Sequence, residues 1–336
     1  MSIRLSDVAD RTGVSAATVS RVLNGRPGVS EATRSLVLGA AGTLGYRPPR
    51  KAAHGELVGV VAQDSGVGAG PSLADSVLTA FHRRGYLPVL CAQAHGAPRE
   101  EPAARKLLEY GASGLVFLGG DHTDTTANHD LYQSLTDEEV PHVLVGGAAF
   151  TARSACVSND DVGGVRKAVR HLAELGHARI GMISGTVRFL TSQRRRDGFL
   201  AALRELGIPA EEAESRIEHV HCSEGGGFCA AEILMERGCT ALICDSDPLA
   251  LGAMQAARAR SLAVPDQLSL VVLGDSTTAR HLVPALTVIS PPVEKMAESI
   301  ADALMMAISG TPLTSLELLF LPDLITRDST GRAPLF

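Results

Sequence analysis

The sequence predicts a small all-α head followed by an α/β core built from two doubly wound parallel sheets. Three observations carry this. Residues 1–54 hold short helical patterns with cap residues and no strand pattern. From Glu56 onward, apolar strands alternate with amphipathic helices of about 10 to 15 residues, the signature of parallel sheets. The charge divides at the same place. The head carries eight Lys/Arg against three acids, a net +5, so the rest of this −6 chain carries −11. A basic head on an acidic body marks the head as the part that meets a polyanion.

The head reads as three helices. "SDVADRTG" takes Ser6 as its cap and Gly13 as its stop, with Leu5, Val8 and Ala9 at helical spacing. "SAATVSRVLNG" follows with Ser15 as cap and Asn24-Gly25 as terminator. The third helix opens at Ser30 and repeats Leu36, Val37, Ala40, Ala41 and Leu44 along one face. The stretch "RPPRKAAHG", residues 47–55, is the one linker-like run.

In the core, strands are expected at 57–63, 86–93, 114–120, 141–147, 179–185, 216–222, 240–246, 268–275 and 286–290. Helices such as "GGVRKAVRHLAELG", "RRRDGFLAALRELG" and "DPLALGAMQAARARS" fall between them. Nine strands over about 260 residues suit two sheets better than one, and 336 residues exceed what a single core holds. A cleft between the sheets is then the default ligand site.

Composition narrows the class. Hydrophobic residues make up 45% and aromatics 4% with no tryptophan, so the core is aliphatic. No run approaches the roughly 20 apolar residues of a membrane span, and "MSIRLSDVAD" lacks the pattern of a secretory signal. A cytoplasmic protein with no membrane partner is expected. The six scattered cysteines suit reduced, buried thiols rather than a disulfide framework.

A helical wheel places Val19, Val22 and Leu23 on one face of the second helix, and Ala17 with Arg21 opposite, flanked by Thr18 and Ser20. A two-turn helix with small outward residues fits a DNA major groove. Arg21 can donate a bidentate pair to guanine, and Ala17 offers a methyl group to thymine. Three-helix modules also serve protein contacts, and an exposed arginine needs no partner. Spacing and charge favour DNA.

The run "RLSDVADRTGVSAATVSRVLNGRPGVSEATRSLVLGAAGTLGYRP" resembles the lactose repressor (LacI/GalR) family of bacterial transcription regulators. The likeness continues in order through "LAELGHARIGMISG", "SQRRRDGFLAALRELGI", "TALICDSDPLALGAMQAARARSLAVPDQLSLVVLGD", "PALTVISPP" and "LITRDSTG". It implies a helix-turn-helix DNA-binding domain over 1–46, a short atypical hinge over 47–56 and a two-lobed, periplasmic-binding-protein-like core over 57–336. Lobe 1 is expected at about 57–160 plus 290–325, and lobe 2 at about 161–289.

The resemblance implies a repressor that binds a pseudo-palindromic duplex as a homodimer or dimer of dimers. A small-molecule effector between the lobes would control it, or it would act without one. Carried over by position, Ala16, Ala17, Thr18, Ser20 and Arg21 fall on recognition-helix positions, and Ser15, Asn24, Ser30 and Thr33 on phosphate-contacting ones. Ser72, Gly146, Arg195, Ser246, Asp247 and Asp275 fall on or beside effector positions.

Two departures stand out. Pro49 replaces the family's usual asparagine, and no leucine wedge follows before Leu57, so Arg47, Arg50 and Lys51 are expected to tether the head to phosphate rather than kink the DNA. Gly146, Ser246 and Gly274 stand where sugar binders often hold Asp or Asn. An effector other than a simple monosaccharide is expected, including an anion held by Arg195.

Other motifs point to no cofactor, metal or catalytic set. "HVHC" matches no zinc spacing, "SEGGG" lacks the Lys-Ser/Thr of a phosphate loop, and "GMISGT" is not a nucleophile elbow. "LGGDHTDTTANHD" reads as a solvated loop. A solute-binding protein and an enzyme on an α/β scaffold are the rival classes. The basic head speaks against the first, and the missing catalytic constellation against the second.

Overall fold

The computed structural model describes residues 5–23, 29–44, 57–63, 73–93, 100–148, 150, 154–311 and 317–334. The chain forms two compact units, Met1–His54 and Gly55–Phe336. The first holds α1 (Leu5–Thr12), α2 (Ala16–Leu23) and α3 (Glu31–Leu44). Val8, Val19, Val22, Val37 and Ala41 from all three helices make its core. Gly13 ends α1 in the left-handed region, at φ +68°, with its N–H on the Ala9 carbonyl. Ser6 lies inside α1 rather than capping it, a shift of the size expected at helix ends.

The second unit runs β1 (Leu57–Gln63), α4 (Leu73–Arg83), β2 (Leu87–Gln93), α5 (Glu100–Glu109), β3 (Leu115–Leu118), α6 (Asp130–Asp137), β4 (His142–Val145) and β5 (Ala155–Asn159). It continues with α7 (Asp161–Glu174), β6 (Ile180–Ser184), α8 (Leu190–Glu205), α9 (Ala210–Glu214), β7 (Ile217–His219), α10 (Glu224–Glu236), β8 (Ala241–Cys244) and α11 (Asp247–Ala259). It closes with β9 (Ser269–Leu273), α12 (Thr277–His281), β10 (Thr287–Ser290), α13 (Val293–Ile308), β11 (Glu317–Phe320) and β12 (Asp323–Ile325).

Two six-stranded sheets result, ordered β11-β5-β4-β3-β1-β2 and β12-β10-β9-β8-β6-β7. Both are parallel except for β12, which runs antiparallel to β10. Successive residues of β8 and β9 alternate between two packed layers: Leu242, Cys244, Leu270 and Val272 face one, Ala241, Ile243, Val271 and Leu273 the other. Period-two alternation with both faces buried is the doubly wound arrangement.

All nine strands read from the sequence are present, with trimmed ends. Three more, β5, β11 and β12, escaped: β5 follows β4, and β12 follows β11, with no described helix between them to break the pattern. Pairing of β12 with β10 corrects the expected lobe 1 segment 290–325: Asp323–Ile325 belongs to the second sheet. The chain therefore passes between the lobes three times, after β5, after β10 and between β11 and β12.

Residues 119–130 are not the expected solvated loop. His122, Thr123 and Asp124 are buried, over a polar knot that includes Glu100, itself 1% exposed. Glu100 accepts the Tyr132 hydroxyl and, at 3.1 Å, the Asp121 N–H, while Tyr132 Oη accepts the His122 N–H at 3.0 Å. Half-buried His129 stacks on Phe150 with ring centroids 4.6 Å apart and binds the Asp121 and Asp124 carbonyls. Burial draws the His122 imidazole down to about 4, so it stays neutral.

Burial pushes Glu100 up to about 7, the nearby Asp121 charge adding to this and the Tyr132 and Asp121 hydrogen bonds opposing it. Folding then takes up a proton between pH 4.5 and 7, so this group's contribution is complete below the unfolded value and lost as pH rises through the folded one. From pH 4.5 to 8 the loss is about 3 kcal/mol. Urea unfolding of Glu100→Gln across this range should show a flatter pH dependence than the parent; equal slopes would remove Glu100 as the cause.

Candidate nucleic-acid interface and ligand cleft

In the head, Val19 is fully buried and Val22 nearly so, which turns the other side of α2 outward. Ala16 and Arg21 are exposed and Thr18 is half-buried. The side chains of Ala17, Ser20 and Leu23 lie outside the described part, as do Asn24, Arg47, Arg50, Lys51 and Ser72. Ser15 caps α2: its Oγ accepts the Thr18 N–H at 3.2 Å and lies 3.0 Å from the Thr18 hydroxyl. Ser30 and Thr33 repeat this at α3, with the hydroxyls 2.8 Å apart. Each helix start thus carries an exposed Ser-Thr hydroxyl pair.

In the core, the carboxyl ends of the parallel strands gather the polar groups, as expected of open α/β sheets. Asn159 ends β5, Asp161 opens α7, Asp245 follows β8, and Arg195 reaches in from α8. Arg195 Nε donates to Asp161 Oδ1 at 2.9 Å, and its Nη1 donates to the Asp245 carbonyl at 3.2 Å, with Asp245 Oδ1 3.8 Å away. The other Asp245 oxygen, Oδ2, accepts the Ser184 hydroxyl at 2.7 Å and the Gly185 N–H at 2.8 Å.

Burial raises the Asp161 carboxyl, and Arg195 only partly offsets this. Burial alone would lower Arg195, yet Asp161 and Asp245 hold it above the ordinary guanidinium value. Asn159 Oδ1, Asp245 Oδ1 and Asp247 Oδ1 are buried with no hydrogen-bond donor among the described residues. Buried oxygens of this kind are receptive to ligand hydroxyls.

The expected effector residues divide. Arg195 and Asp247 belong to this polar cluster or flank it, and Ser246 sits buried as the N-cap of α11 without making a cap bond. Asp275 is committed elsewhere. Burial alone would raise its carboxyl, but Arg280 at 2.7 and 3.1 Å and Arg327 at 2.6 Å hold it below the usual range. Asp161 and Asp245 were missed because nothing local distinguishes "NDDVGG" or "CDSD" from solvated helix starts. Ser223 caps α10 through the Gly226 N–H at 3.1 Å, so "SEGGG" is a strand-to-helix turn, and His219 Nδ1 lies 3.1 Å from the Gly185 carbonyl. All six cysteines are free; Cys156, Cys239 and Cys244 are buried as expected, Cys91 and Cys222 are half-buried and Cys229 is exposed.

A three-helix head on a core of two doubly wound sheets, with polar groups gathered at the strand ends, defines a DNA-reading module joined to a ligand-binding one. Residues 4–49 match the lacI family of bacterial regulatory proteins, and residues 169–330 match a periplasmic binding protein-like domain. An uncharacterized HTH-type transcriptional regulator in the aml 5' region of Streptomyces limosus is 43% identical over 333 residues, covering 98% of this chain and 95% of that one. The HTH-type transcriptional regulator MalR of Streptomyces coelicolor is 40% identical over 338 residues, covering 99% and 98%. The solved complex of the transcriptional regulator CelR with cellobiose superposes with a TM-score of 0.72 at 29% identity, over 97% of this chain and 99% of CelR. The chain belongs to the lacI family and is a DNA-binding transcriptional regulator. No described helix is long and apolar enough to cross a membrane.

Removing the cation from the cleft tests its electrostatics. Arg195→Ala leaves Asp161 and Asp245 buried without their partner, a change that costs roughly 3–5 kcal/mol for buried pairs. Thermal unfolding at pH 7 should show this loss. It should shrink as pH falls and the raised Asp161 carboxyl takes up a proton, whereas a pH-independent loss would argue that Arg195 acts by packing alone.

Proposed function

We propose that this regulator is a repressor that binds a pseudo-palindromic operator as a homodimer and answers to a neutral, hydroxyl-rich ligand between its lobes. The observation that carries the DNA reading is the burial of Val19 and Val22, which leaves Ala16 and Arg21 outward on a two-turn helix. Ala16, Ala17, Thr18, Ser20 and Arg21 face the major groove. Ser15, Asn24, Ser30 and Thr33 hold phosphate, and Arg47, Arg50 and Lys51 tether the head without a strong kink. With alanines at the leading positions, Arg21 carries much of the direct base readout.

One such helix reads only a half-site, so the function calls for a second copy. The face we assign to it is an apolar groove of the second sheet's lobe lined by Leu251, Met254, Leu262, Leu282 and Val283, the last 92% exposed.

The pairing of Arg195 with Asp161 and Asp245 speaks against the anion considered from the sequence, because its charge is already met. The unpartnered oxygens of Asn159, Asp245 and Asp247 favour a donor of hydroxyl hydrogens, which is sugar-like chemistry. CelR, with the same fold, is solved with cellobiose. Such a ligand would shift the balance between lobe arrangements and so the placement of two heads. The protein works in the cytoplasm, at the chromosome.

In vitro selection of bound duplexes tests the DNA reading. Arg21→Ala should flatten the selected sequence preference by about 1–3 kcal/mol at one position per half-site while low-salt binding survives. An unchanged preference would sink the role of Arg21. Separately, Val283→Asp should convert the dimer to monomer in sedimentation and weaken operator binding without altering the circular dichroism of the fold.

A further inference from the structure

Three consecutive arginines at the start of α8 point to three different partners, because successive helical residues diverge by about 100°. Arg196 pairs with Glu214 of α9, and Arg195 enters the cleft. Arg194 leaves its own lobe. Its Nη1 and Nη2 donate to Glu317 Oε1 and Oε2 at 2.6 and 2.8 Å, a two-point contact with β11 of the first sheet. Burial would raise Glu317, but Arg194 holds it below the usual carboxylate range.

The residues just before α8 make a second attachment to the same sheet's lobe. The Thr125 N–H and hydroxyl both donate to the Arg188 carbonyl at 2.8 Å, and Arg188 Nε lies 3.3 Å from Asp124. Between the two attachments, α8 rests on a floor without side chains. A Cβ on Gly147 would stand 2.7 Å from Leu190 Cδ2 and 3.2 Å from Arg194 Nη1, and the φ of +97° there suits only glycine.

We propose that residues 188–194 are a latch between the lobes. Arg194–Glu317 and the Arg188 contacts with Asp124 and Thr125 hold the first lobe against α8, while Gly147 provides the seat. Because Arg195 follows Arg194 on the same turn, and Asp161 and Asp245 stand on the same lobe as α8, parting of the lobes carries the whole charge cluster away from the first sheet and opens the cleft. Arg194 is thus a positioning residue for the cleft.

The Thr125 amide reports the latch directly, since its acceptor lies on the other lobe. Hydrogen exchange of the full chain is followed at Thr125, with the Gly59 and Asp245 amides, bonded within one lobe each, as controls. In Glu317→Gln and in Arg194→Gln, Thr125 should exchange about tenfold faster, the double variant no faster than either single one, and the controls unchanged. Arg194→Lys, which keeps the charge but not the two-point geometry, should fall between, and it supplies the test if a Gln variant does not fold. An unmoved Thr125, an additive double variant, or equal acceleration at the controls would overturn the latch.

Discussion

The core depends on one buried charge arrangement: the Arg195 guanidinium held between Asp161 and Asp245. Such a group is tolerable only when its partners are fixed in advance, because each charge taken from water alone costs several kcal/mol. The three residues come from different elements, α8, the first turn of α7 and the end of β8. Asp161 stands where the chain first passes from one sheet to the other, so satisfying Arg195 also fixes how the second lobe departs from the first. Buried oxygens of Asn159, Asp245 and Asp247 at the strand ends have no donor among the described residues.

Around that centre, the same rule of paired charges recurs with different reach. Asp275, at the end of β9, is met by Arg280 on α12 and by Arg327 beyond β12, which ties the last segment of the chain to the strand beside the cleft. Ser329 extends the tie, its Oγ receiving the Thr287 N–H and donating to the Leu270 carbonyl. These contacts explain why a three-residue antiparallel strand closes an otherwise parallel sheet. The terminal segment satisfies backbone groups that would be orphaned at a sheet edge.

The head works by the opposite economy. Among the described residues its core is five small aliphatic side chains, with Ala9, Val14, Val29, Ala40 and Leu44 packed against them. Serine caps at α2 and α3 supply local stability and leave hydroxyls at the helix starts.

Period-two alternation and cap residues were legible in the sequence because they are local: nine of the ten strands from Leu57 to Ser290, the caps at Ser15 and Ser30, and the buried valines of α2 all follow from neighbours within a few residues. The family was legible for the same reason, through ordered motifs along the chain. Pairing across long separations was not. That β11 joins β5 while β12 joins β10, that residues 122–124 are buried over Glu100, and that Asp275 is spent on Arg327 depend on residues 20 to more than 150 positions apart. The "RRR" run shows the division most plainly. By itself the sequence determined that three arginines fan around one helix; only the tertiary structure decided that Arg194 meets the other lobe, Arg195 the cleft and Arg196 its neighbouring helix. A charge takes its role from the partner that burial places beside it, and burial is a property of the whole fold.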